Sequence, residues 1–450
     1  MEKAIELALA GRYEEALRIC KKIKSKNIHN ALYFNTVGII YRRMGLLDDA
    51  RRHSKRAIQI DQSLVAAKMN LANIELENGD ISQAITLYKE ITTEAPRYQE
   101  AKANLALALR NVGDVEGSLN TYKEIIFQGP WSLKAAFNFG ITLIASGSFE
   151  EGWKNYEYRW KVFPMNKATW PFQDKAIWKG ERGKQVVLWK EQGIGDDIIF
   201  LSLVQEVKEM CKTLSVYVDP RLEALCRRAM PGINFITDEK ILKREKCDYH
   251  LPLGSVPGLL RNDIRDFDRT VKGYLKADPK RVEAIRSELN LEGKTAIGIS
   301  WKSFNSLNKT KKSIQLRDME RIFSGLDVVL VNLQYGDVED EIREFKEATG
   351  IEVVQCASVD NREDLDGLAA LIEVCDLVVS TSNVTVHLAG ALAKETWVLL
   401  PYVAIFWWLI ERTDSIWYPS STLYRQPKLD DWDSVYASIR KDLETRLTIT

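Results

Sequence analysis

Apolar and small residues recur along the first third of the chain at helical spacing, and the pattern repeats every 34 residues. Glycine marks the repeat at Gly11, Gly45, Gly79, Gly113 and Gly147. One series of small residues runs Ala4, Gly38, Ala72, Ala106 and Gly140; another runs Ala16, Ala50, Ala84, Ser118 and Gly152. Pro96, Pro130 and Pro164 keep the same interval. Each repeat reads as helix, glycine turn, helix, proline stop. The small residues let two helices approach closely, and the proline ends the second.

A period of this length with this punctuation is the tetratricopeptide (TPR) pattern. It predicts an α superhelical solenoid of five repeats over residues 1–165, the first lacking a few N-terminal residues. Such a stack has a concave groove lined mainly by the first helix of each repeat. One polar position on that helix recurs as Asn70, Asn104 and Asn138. A side-chain amide both donates and accepts, so a ladder of them can hold an extended peptide by its backbone. The same residue type also occurs at this position in ordinary repeats. The fifth repeat ends in FEEGWKNYEYRWK, 149–161, which is too aromatic for a solvated cap and is expected to pack against the next domain.

From about residue 184 the pattern changes to short β-rich runs alternating with helical segments. The first series is 185–190, 214–219, 233–237 and 247–253; the second is 295–302, 327–335, 351–355, 376–380 and 396–401. Helical patterns lie between them, among them PKRVEAIRSELN and REDLDGLAALIEVC. This alternation predicts two parallel sheets covered by helices, in two Rossmann-like lobes. Ligands bind such sheets beyond the carboxyl ends of the strands, so the loops after the strands are the ones to inspect.

Charge narrows the choice. The chain has 63 basic and 63 acidic residues among 450, which argues against bulk binding of nucleic acid or an anionic membrane. Six scattered cysteines form no CxxC and no metal-ligand spacing, so a reducing, cytoplasmic setting and no metal site are expected. No signal peptide is expected from the N-terminus. The run WVLLPYVAIFWWLI is interrupted by Pro401 and reads as a buried strand followed by an aromatic loop, not a membrane span.

The candidate chemistry lies in three loops. After the first strand comes EQGIGDD, where Gly193 and Gly195 permit a tight turn and close ligand approach, and where Asp196 or Asp197 caps the next helix. One cap suffices, which leaves the other carboxylate for a base. There is no GxGxxG, so no dinucleotide cofactor is expected. The basic loop SWKSFNSLNKTKKSI holds Lys302 and Lys312, facing either solvent or a phosphate; Gln334 follows the next strand. The last loop, STSNVTVHLAGALA, enters a helix whose first N–H groups suit an anionic diphosphate. His387 in that helix faces a ligand or orders the loop.

Taken together, TPR repeats followed by EQGIGDDIIF, SWKSFN…KKSI, SNVTVHLAGAL, WVLLPY and WYPSSTLYRQ resemble bacterial TPR-fused glycosyltransferases. Their catalytic part is similar to the heptosyltransferases, with a GT-B fold. The layout is also similar to protein O-GlcNAc transferases and to flagellin glycosyltransferases. The resemblance covers nearly the whole chain. It implies an acceptor-side lobe over 166–285 and a nucleotide-sugar-binding lobe over 286–450. It implies Asp196 as general base, Lys312 on the donor phosphate, and the backbone near Asn383, Val384 and Thr385 on the diphosphate. It also implies inverting transfer, with a nucleotide sugar as co-substrate and no other cofactor. Many relatives carry Asp-Thr where this chain has Ser382-Asn383, so the donor sugar is not carried over. The acceptor is expected to be a protein hydroxyl, as on flagellin, held in the TPR groove; the rivals are a lipid-linked or lipopolysaccharide glycan, and a non-enzymatic adaptor.

Overall fold

The computed structural model describes all residues except 128–132, 163–169, 292, 304–312 and 450. The chain divides into two compact units, Met1–Thr142 and Leu143–Thr450.

The first unit is built from paired helices: α1 (Glu2–Leu9) with α2 (Tyr13–Ile23), α3 (Ala31–Arg43) with α4 (Leu47–Ile60), α5 (Val65–Glu77) with α6 (Ile81–Glu94), and α7 (Gln99–Asn111) with α8 (Val115–Phe127). The fifth pair is α9 (Leu133–Ala145), which spans the division, and α10 (Phe149–Tyr156), which belongs to the second unit. All five repeat glycines are left-handed, with φ from 76° at Gly11 to 89° at Gly79. They sit just past the first helix of each pair, where the chain must reverse. At Gly45 the amides of Gly45 and Leu46 return to the carbonyls of Arg42 and Tyr41, closing the end of α3.

The small residues are where the helices touch. Ala4, Ala16, Ala50, Ala72, Ala84 and Ala106 are fully buried. A Cβ at Gly38 would lie 2.7 Å from the Ser54 hydroxyl oxygen, so no larger residue fits there. Pro96 follows the end of α6, as the punctuation requires; Pro130 and Pro164 lie outside the described residues.

The second unit holds two sheets in which every strand pairing is parallel. The first contains β1 (Ala176–Ile177), β2 (Gln185–Trp189), β3 (Thr213–Tyr217), β4 (Asn234–Ile236) and β5 (Tyr249–Pro252), in the order β1-β5-β2-β3-β4. The second contains β6 (Thr295–Ser300), β7 (Val328–Asn332), β8 (Val353–Val354), β9 (Leu377–Thr381), β10 (Thr396–Leu400) and β11 (Ser421–Arg425), in the order β11-β10-β9-β6-β7-β8. Every expected strand forms. The edge strands β1 and β11 are additions: one is too short, and the other too polar, to read as a buried strand. Burial of β9 and β10 at every position follows from helices covering both faces of a parallel sheet.

The aromatic end of the fifth repeat packs within the second unit. The Trp153 indole donates to the Arg261 carbonyl at 2.7 Å, and Trp160 joins the core of the first sheet beside Val187 and Trp189. The run from Trp397 becomes β10 and a short turn, Phe406–Trp408. No helix among the described residues is long and apolar enough to cross a membrane. None of the six cysteines is in a disulfide.

Gly79 has no atom within 4 Å of the position a Cβ would take, so its requirement is conformational alone. Gly79→Ala is expected to lower stability by about 1–2 kcal/mol, the penalty of a left-handed L residue. Chemical denaturation of parent and variant checks this; equal midpoints would mean that the turn relaxes.

Candidate functional site

Both sheets reverse their strand order once, and each reversal opens a crevice at the carboxyl ends. In the first sheet the crevice lies between the loops after β2 and β5; in the second it lies between those after β6 and β9. The loops singled out in the sequence are those after β2, β6 and β9.

After β2 the chain enters the helix Ile194–Leu201. Its N-cap is Gly193, with no side-chain cap, so the expectation that an aspartate caps the helix is not met. The helix begins earlier, which places both aspartates inside its first turn, where their charge still complements the dipole. Neither Gly193 nor Gly195 is left-handed. Gly195 is needed for close approach instead: a Cβ there would lie 3.0 Å from His387 Cδ2.

Asp196 and Asp197 point into opposite environments. Asp196 is half-exposed and accepts a hydrogen bond from the Trp407 indole at 3.1 Å. Asp197 is buried, and neither of its oxygens has a hydrogen-bond partner. Burial, and then the nearby Glu191, push its carboxyl well above the ordinary range. An unpaired buried carboxyl is held more cheaply neutral than charged.

The second sheet brings aromatic residues to Asp196. His387, on the helix Val384–Ala391, shares a hydrogen bond with the Tyr418 hydroxyl at 3.1 Å and lies parallel to Trp408 at 5.5 Å. The Trp408 indole donates to Ser382 Oγ at 2.8 Å. Arg425, on β11, donates to the carbonyls of Trp408 and Leu409; burial pushes its guanidinium down to about 10. Trp407, Trp408, Tyr418 and Arg425 were not among the sequence-derived site residues. The signal was the tryptophan pair in the loop that follows a buried strand.

The polar residues chosen as donor ligands do come together, but largely bind one another. Gln334 Oε1 accepts from the Ser300 hydroxyl and from the amides of Trp301 and Lys302, at 2.9–3.0 Å. Its Nε2 donates to the Tyr335 carbonyl. Asn383 donates to Ser300 at 2.7 Å, and its Oδ1 caps the Thr385 amide. The Thr385 hydroxyl reaches the Leu333 carbonyl. Lys302 is paired with Glu341. Gln334, Asn383 and the Thr385 amide thus have partners within the protein, as buried polar groups must. Ser382 likewise serves Trp408. Val384 is half-exposed at the helix start. Lys312 lies outside the described residues.

The glycine turn is held from behind by the aromatic segment. Arg159 donates to Glu191 Oε1 at 2.9 and 3.1 Å and to Ser255, with both charged side chains 2% exposed. The Tyr156 hydroxyl donates to Gln192 at 3.0 Å, and Trp153 stacks on Trp407.

The asparagine series in the first unit has an internal use. Asn70 is buried; it donates to the Ser54 hydroxyl at 2.8 Å and accepts from Arg42 at 3.1 Å. Asn104 donates to Asn73 at 3.0 Å and lies beside the Tyr88 hydroxyl; Asn138 lies beside the Tyr122 hydroxyl. Ser54, Tyr88 and Tyr122 share the 34-residue period. Each amide therefore meets a hydroxyl 16 positions earlier, on the preceding repeat's second helix. Asn70 and Asn104 thus carry hydrogen bonds inside the solenoid, a use that the expected peptide ladder did not include.

The family model of the tetratricopeptide repeat matches residues 41–105. The chain carries tetratricopeptide repeats. Protein FlbA of Caulobacter vibrioides is 30% identical over 311 residues, which is 64% of this chain and 51% of that protein. The chain thus spans about half the length of this curated relative, over a stretch longer than the repeats alone. Among solved structures, MamA is similar at 20% identity, covering 36% of this chain and 94% of MamA with a TM-score of 0.32. A thermophilic TPR protein of Thermus thermophilus is similar at 16% identity, covering 36% of this chain and 90% of its own, also with a TM-score of 0.32.

Two outcomes are expected here. The folded chain holds the Asp197 proton more tightly than the unfolded chain does. The resulting stability is complete below the ordinary carboxyl value, about 3.9, and is lost as pH rises through the higher folded value. Asp197→Asn removes that loss, so its melting temperature relative to the parent rises with pH; a difference independent of pH would mean that Asp197 ionises freely. Arg159→Ala strands Glu191 and is expected to cost about 3–5 kcal/mol. Adding Glu191→Gln should recover much of it, as read by denaturation of the single and double variants.

Proposed function

We propose that the chain transfers a sugar from a nucleotide-sugar donor to an acceptor hydroxyl, with the two parallel-sheet lobes acting as a GT-B pair. The observation that carries this reading is the position of Asp196. It is a half-exposed carboxylate at one sheet's strand-order reversal, held by an indole from the other sheet. As a carboxylate, Asp196 takes the acceptor's proton. The acceptor oxygen attacks the anomeric carbon as the bond to the donor phosphate breaks. The nucleoside diphosphate leaves toward the second lobe, where Val384 opens a helix N-terminus and the basic loop containing Lys312 follows β6. The acceptor-side lobe is the one carrying the glycine turn.

For the acceptor, the resemblance supports a protein hydroxyl, with flagellin Ser or Thr as the leading case and the repeats as the partner-binding part. A second reading has one observation in its favour. With Asn70 and Asn104 engaged inside the solenoid, acceptor recognition confined to the cleft also accounts for the site, and then the acceptor is a glycan and the repeats are scaffold. Transfer assays with a protein acceptor and with a lipid-linked glycan separate the two.

Asp196→Asn is expected to lower turnover by about 10²–10⁴ while leaving donor affinity near the parent value. Donor affinity is read by calorimetry and turnover by release of nucleotide. Near-normal turnover would remove Asp196 as the base. No transfer or donor hydrolysis by the parent, across a panel of nucleotide sugars, would favour the adaptor reading.

A further inference from the structure

A cavity of 810 Å³ opens in the first unit among α2, α3 and α4. Its floor is apolar: Tyr33, Phe34 and Val37, on the inner face of α3, are all buried. Its rim is basic. Lys21 and Lys24 line it from α2 and the turn after it, and Lys55 and Arg56 line it from α4. All four are exposed. Arg51 and Arg52 also line the cavity, but they are tied to Glu75 and Asp49. Lys21, Lys24 and Lys55 have no ion-pair partner among the described residues. Arg56 reaches Gln59 and lies 6.0 Å from the Phe34 ring centre, which sets its charge over the apolar floor. Asp48 is the carboxylate among the lining residues.

In α4, Arg51 with Lys55 and Arg52 with Arg56 are like charges four residues apart, a spacing that weakens a helix. The whole chain is neutral, so the concentration is local. A rim of cations around an aromatic and aliphatic floor complements a ligand with carboxylates flanking an apolar group.

We infer that this cavity binds an acidic peptide segment of a partner protein, with an apolar side chain on Phe34 and Val37 and its carboxylates on the rim. The site is framed by the second helices of two repeats, α2 and α4, rather than by the first helices that line the groove expected of a TPR stack. The lysine of Lys21 and Lys55 recurs as Lys89 and Lys123, but Glu90 and Glu124 follow those two, so the basic rim is confined to the first two repeats. A nucleic-acid strand would need cations spaced along its backbone. The inference is independent of the proposed transfer chemistry.

The test is fluorescence anisotropy on the full chain at low salt. The probe is a fluorescein-labelled Glu-rich peptide with one central leucine. Saturable binding is expected, weakened by added salt and by replacing the leucine with serine. Lys55→Glu with Arg56→Glu should weaken binding by about tenfold or more. Arg18→Glu with Lys22→Glu changes the same charge on exposed α2 positions outside the cavity, and should have a smaller effect. Three results would overturn the inference: no saturable binding, equal loss in both double variants, or tighter binding of an oligothymidylate of equal charge. Far-UV circular dichroism confirms that the variants remain helical.

Discussion

The close approach of Gly195 to His387 is the contact on which the candidate site depends. It brings the helix Ile194–Leu201 of one sheet against the helix Val384–Ala391 of the other. A Cβ at position 195 would meet the imidazole at 3.0 Å, so any larger residue would have to push His387 aside. With the helices this close, Asp196 reaches the Trp407 indole, and His387 lies between Trp408 and Tyr418.

Around that contact many polar groups bond within the protein. Gln334, Ser300, Asn383 and Thr385 bond one another or nearby backbone, which fixes the loops after β6, β7 and β9 against each other. Arg159 and Glu191 do the same behind the glycine turn. A site built this way is rigid in its frame and presents few reactive groups, which is the condition for preorganised electrostatics. Asp197 departs from the pattern. It remains buried without a partner, and its raised pKa is the physical consequence.

The solenoid uses its period for cohesion. Glycines reverse the chain, alanines admit the neighbouring helix, and asparagines bridge to hydroxyls one repeat back. These small and amide positions are engaged in stacking, because each repeat is stable only through its neighbours. The basic rim inferred to take a ligand combines one repeating position, Lys21 and Lys55, with Lys24 and Arg56.

Local spacing decided a large part of this architecture, and it could be read directly. The 34-residue series placed the helix pairs and turns, and alternating apolar runs placed nine of the eleven strands. The loops after β2, β6 and β9 were legible as candidate sites, since parallel sheets present ligands at strand ends. What the sequence could not contain was the pairing of polar side chains across long separations. Asp196 finds Trp407 from 211 residues away, and Asn383 finds Ser300 from 83. Which aspartate is exposed, and which amides are engaged inside the protein, depended on those pairings. Periodicity reports the face on which a residue lies; only the tertiary structure decides what that face meets.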